Sequence, residues 1–163
     1  MNSWNQRPTE VGNLLNPAFV GRLIRIFVQA YYNEKKEAVP YELLFIFLPL
    51  VLQKYYRDTL PSTTKTQMHI WLQNNPELKL DFANKNRDLI PHVRETLIFL
   101  VHRNVLNITS EGQIKLGYKG LKRKKVVNTS EVKACMNKAK FIGRWFAKAG
   151  STTTIFAIWG IRP

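Results

Sequence analysis

Apolar residues recur at spacings of three and four along most of this chain and alternate in only one stretch, so the pattern predicts helices and one hairpin. Residues 1–15 carry no sustained period and are expected to form a flexible arm ahead of a single domain over 16–163. Asn16-Pro17 is a helix start: the Asn side chain accepts from a free backbone N–H, and Pro sits where its missing N–H costs nothing. The helix it opens runs from Ala18 to Tyr32, with Phe19, Leu23, Ile26, Phe27 and Ala30 on its apolar face and Arg22 and Arg25 off it. A charged loop over Asn33 to Ala38 follows. Pro40 then opens a second helix to about Tyr56, and a helix apolar nearly all round is expected at the centre of a core.

Thr59 to Ser62 breaks the chain, and Ser62, Thr63 or Thr64 is expected to cap a short third helix with Met68, Trp71 and Leu72 inward, ended by Asn74-Asn75-Pro76. A long fourth helix is expected from about Phe82 to Arg103, with a kink or boundary near Ile90 because Pro91 lies inside it. Val105 to Thr109 and Gln113 to Tyr118 alternate around Ser110-Glu111-Gly112, which predicts a β-hairpin. Beyond a basic linker, Ser130 is expected to cap a helix from Glu131 to Ala149 with a seam of Cys135, Ala139, Ile142, Phe146 and Ala149. Gly150 ends it, and Ser151 caps a last helix from Thr152 to Trp159, stopped by Gly160. The fold class expected is mainly α with a small β-hairpin. Helices two to four and the hairpin have the order of a winged helix, so the expectation is a winged-helix-like core flanked by extra N- and C-terminal helices.

Charge changes this picture more than composition does. The 163 residues carry a formal net charge of +14, and the stretch 115–148 holds eleven Lys or Arg against one Glu, a local net of +10. Lys133, Lys140 and Arg144 fall on one arc of the Glu131 helix, opposite the apolar seam. With Lys115 and Lys119 of the hairpin region and Lys122, Arg123, Lys124 and Lys125 of the linker, they are candidates for one positive surface. Such a surface binds double-stranded DNA through its phosphates, without reading bases, or an acidic protein face. Trp145, Phe146, Phe156 and Trp159 crowd the last twenty residues and, as a group, suggest a subunit interface, although core packing explains any one of them.

Other chemistry is scarce. His69, His92 and His102 have no metal-pair spacing, and the single cysteine, Cys135, lies on an apolar seam where a structural thiol is the default. No glycine-rich loop ends in Lys-Ser or Lys-Thr. Asp81, Asp88 and Glu95 recur at seven-residue intervals, which reads as a solvated stripe near Arg87 and Arg94. No catalytic residue, metal, cofactor or small-molecule substrate is expected. The longest apolar run, Leu43 to Leu52, is too short to span roughly 30 Å of hydrocarbon as a helix. No basic leader precedes an apolar segment at the N-terminus, and one thiol suits a reducing compartment, so a cytoplasmic protein without membrane contact is expected.

An ordered set of segments resembles a known family. They are Asn16 to Phe19, Pro40 to Phe45, Leu60 to Leu72, Ala139 to Ala147 and Ile155 to Pro163. Together they resemble the middle component of bacterial three-component ABC systems, of which Lamassu-type antiphage defence is the best-known relative. The resemblance implies a non-enzymatic adaptor between an ABC or SMC-like ATPase and an effector, often a nuclease. It brings no catalytic residues. The basic surface belongs to this sequence and not to the family pattern. A free-standing winged-helix DNA-binding protein or regulator is the alternative.

Overall fold

A computed structural model describes residues 15–121 and 129–162. Lys122, Arg123, Lys124 and Lys125, and all but Leu15 of the expected arm, lie outside the described residues. Helix α1 spans Pro17–Lys35 and starts as its sequence dictates: the Asn16 side chain accepts from the Ala18 N–H at 2.8 Å, with Pro17 in the first turn. It continues three residues past the expected end and closes on Lys36 in the left-handed conformation.

The second expected helix is divided. Val39–Pro40 forms a short strand, β1, a 3-10 turn covers Tyr41–Leu43, α2 spans Leu44–Leu52 and α3 spans Lys54–Thr59. Gln53 is extended between α2 and α3. Pro49 lies inside α2, and the last helical bond runs from the Gln53 N–H to the Pro49 carbonyl at 3.1 Å. Helix α4 spans Met68–Asn74 and buries Met68, Trp71 and Leu72 as expected. Its cap position is Gln67, not Ser62, Thr63 or Thr64, and no side chain caps it.

The long fourth helix is also divided. A 3-10 turn at Pro76–Lys79 leads to α5, Phe82–Lys85, then to a 3-10 turn at Arg87–Leu89 and to α6, Ile90–His102. Pro91 sits in the first turn of α6, so the boundary falls where the proline placed it. Asp81 and Asp88 thus lie ahead of α6 and share no helical stripe with Glu95.

Strands β2, Leu106–Ile108, and β3, Gln113–Leu116, form the expected hairpin, with Gly112 at φ +73° in its turn. The alternation missed the third strand. Two-residue β1 pairs antiparallel with β3, Val39 opposite Ile114, giving a sheet of order β1-β3-β2. Helix α7 spans Ser130–Lys148, with Thr129 rather than Ser130 as its cap, and α8 spans Thr152–Trp159, capped by Ser151.

The terminal helices contribute to the same core as the elements between them. One apolar cluster unites α1, α2, α6, the sheet, α7 and α8. Val20, Leu23, Ile24 and Phe27 of α1 are fully buried. The reason is a close α1–α7 seam. A Cβ on Gly143 would lie 2.6 Å from the Phe27 carbonyl oxygen, so only glycine lets the two helices approach this far. Phe27 meets Phe146 edge-on at 5.7 Å and stacks on Phe47 of α2 at 4.3 Å.

Candidate partner and nucleic-acid surfaces

Trp145, Phe146, Phe156 and Trp159 are all buried, which corrects their reading as a subunit interface. Trp145 and Trp159 each meet Trp71 at steep interplanar angles, with ring centroids 5.2 and 6.1 Å apart, and Phe82 lies 4.5 Å from Trp159. The Trp145 indole N–H donates to the Thr66 carbonyl at 2.7 Å and that of Trp71 to the Thr59 carbonyl at 2.8 Å. These aromatics fasten α7 and α8 onto α4 and the loop before it, work the chain's own core required of them.

The cations of α7 are on the surface. Lys133, Lys140 and Arg144 are exposed, as their common arc predicts. They differ in what surrounds them. Arg144 lies 3.5 Å and Lys148 3.2 Å from the carboxylate of Glu34, at the end of α1. The hydrogen bond from Lys148 and its charge, aided by Arg144, hold the Glu34 carboxyl below its ordinary value. One α1 carboxylate therefore partly neutralises the C-terminal end of the basic arc, while Lys133 and Lys140 lie nearer its N-terminal end. Lys115 is exposed on β3 opposite Asn107, and Lys119 is exposed beyond the strand with its ammonium 5.7 Å from the Tyr118 ring.

The N-terminal end of α7 is held by a side chain the sequence pattern does not single out. Arg57 of α3 is buried. Its guanidinium donates to the Val51 carbonyl at 2.8 Å and the Leu52 carbonyl at 3.1 Å, satisfying the open end of α2. It also ion-pairs with Glu131 and donates to the Cys135 sulfur at 3.4 Å. Burial pushes the Cys135 thiol above its ordinary value, as expected of a structural cysteine.

Large apolar side chains do reach the surface, at positions other than those expected. Ile98 of α6 is 61% exposed and Tyr118 is 77% exposed. The signal for Ile98 was present: it stands between Arg94 and His102 on the arc opposite Val93, Leu97 and Leu100. Among the described residues, no three His, Cys, Asp or Glu side chains are grouped to hold a metal ion, and no helix is long and apolar enough to cross a membrane.

Comparison with known proteins adds one finding. The family model described as ABC-three component (ABC-3C) system Middle Component 3 matches residues 4–163. No curated protein and no solved structure matches the chain.

Proposed function

Since this chain belongs to the ABC-three component system Middle Component 3 family, we propose that it is a non-enzymatic adaptor that holds an ABC or SMC-like ATPase against an effector nuclease. The family match over residues 4–163 is the observation that carries the reading, because a component of a multi-component system has other subunits as partners. The complex would act in bacterial antiphage defence, as Lamassu-type systems do, in the cytoplasm.

The basic residues supply a second contact in this reading. Lys115, Lys119, Lys133 and Lys140, exposed on the hairpin region and α7, would neutralise phosphates of double-stranded DNA and release counterions. The element order helix, strand, helices, hairpin, with the first strand paired to the last, supports a winged-helix relationship. That order also favours the second reading, a free-standing winged-helix DNA-binding regulator.

Gene neighbourhood separates the two. The adaptor reading expects an ATPase gene and a nuclease gene beside this one; an isolated gene beside its own operator would favour the regulator. For the DNA surface, replacing Lys115, Lys119, Lys133 and Lys140 by Ala should flatten the dependence of log K on log salt by about 0.9 for each phosphate no longer neutralised. An unchanged slope would remove these residues from the DNA surface.

A further inference from the structure

We infer that the exposed arc of α6 and the segment just after β3 form the docking surface for a partner subunit. The occupant is an acidic protein segment carrying apolar anchor residues. This inference rests on the adaptor reading and gives it a location. Arg94, Ile98 and His102 are four residues apart on α6, and all three are exposed, so they line one face. The segment after β3 returns to the end of that helix: the Lys119 N–H donates to the carbonyl of Asn104, two residues beyond α6, at 3.1 Å. Tyr118 and Lys119 therefore stand beside the C-terminal end of α6. Arg103 is exposed there too, its guanidinium 5.1 Å above the Phe99 ring.

The chemistry of the face selects the occupant. Ile98 and Tyr118 are among the most exposed large apolar side chains of the described residues. A phosphate backbone offers Ile98 nothing to bury it, whereas the leucine or phenylalanine of a protein segment does. Arg94 lies one helical turn from Ile98, Lys119 follows Tyr118 directly, and Arg103 adds a third exposed cation at the end of α6. Glu95 is the only carboxylate on α6; it is half-buried and has an interaction of its own. An acidic segment thus gains charge complementarity at the rim and apolar burial at the centre.

The test is co-expression with the other two components of its system. A photo-crosslinking phenylalanine analogue at position 98 should give a covalent product with one of those subunits. The Ile98→Asp, Tyr118→Ala double variant should weaken that subunit's binding at least tenfold, and Arg103→Glu with Lys119→Glu should weaken it further at low salt than at high salt. The melting temperature of the Ile98→Asp, Tyr118→Ala variant should stay at the wild-type value, since both side chains are exposed. A complex that survives this variant would overturn the docking surface while leaving the adaptor reading intact. Loss of DNA affinity with the complex preserved would also overturn it, and would assign the face to nucleic acid. A wild-type chain that forms no complex at all would overturn the adaptor reading itself.

Discussion

Arg57 shows how much one buried side chain can hold. Its guanidinium closes the end of α2 and reaches Glu131 in the first turn of α7, so α3 and two neighbouring helices share one anchor. Replacing it by Ala would leave two carbonyls without their donor and open a cavity. The expected cost is about 2–4 kcal/mol, read as a shift in the urea midpoint. Lys at that position should not restore stability, because an ammonium lacks the planar fork that reaches four acceptors. Glu131→Gln should cost less, about 1 kcal/mol or below, since the Glu131 side chain is half-exposed and solvent screens the pair. Equal losses for Arg57→Ala and Glu131→Gln would contradict this ranking.

Glu34 gives a pH dependence of defined sign. Its carboxyl is held below the ordinary value of 4.5, chiefly by the hydrogen bond from Lys148. The folded state therefore binds fewer protons at this site than the unfolded chain does, and stability rises with pH through this range. The contribution is fully present above the unfolded value and is lost as pH falls through the lower folded value. The melting-temperature difference between wild type and Glu34→Gln should accordingly be present at pH 7 and shrink towards zero in acid. A difference constant between pH 7 and pH 3 would contradict the assignment.

At the scale of elements, the α1–α7 seam depends on the absence of a side chain at 143. Gly143→Ala places a methyl group 2.6 Å from the Phe27 carbonyl and 2.8 Å from the Ala30 Cβ, against backbone and core that cannot give way cheaply. The helices would have to separate, at an expected cost of about 1–3 kcal/mol in chemical denaturation. Ala at Gly120, where nothing lies within 4 Å, is the control and should leave stability nearly unchanged. Helix starts with a side-chain cap could be read directly, as at Asn16 and Ser151, because the signal is local. The divisions at Gln53 and before Ile90 were harder. The second follows from Pro91, visible in the sequence, whereas the first falls four residues after Pro49 and has no local signal. Strand β1 was illegible because two residues, one of them Pro40, hold no alternation; only pairing with β3 makes them a strand.

At the scale of the molecule, charge and apolar surplus had different fates. The arc of Lys133, Lys140 and Arg144 could be placed from helical spacing alone, since charged side chains stay in water unless, like Arg57, they find buried partners. Glu34's approach to Arg144 and Lys148 could not, because it links α1 to α7 across more than a hundred residues. The crowded aromatics of α7 and α8 looked excessive for a chain of this length, yet Trp71, Phe82 and the loop before α4 supply them with partners. Composition cannot show which surfaces of other elements need covering. Large apolar side chains that do reach the surface, Ile98 and Tyr118 among them, stand on elements other than α7 and α8.

The central claim is that this chain works as one component held among others. Its most direct test is the mass, by size exclusion with light scattering, of the chain co-expressed with the other two components of its system. The adaptor account predicts a stable particle containing all three, still assembled when Lys133 and Lys140 are replaced by Ala. A chain that elutes alone as a monomer or dimer and binds a defined DNA operator would contradict it.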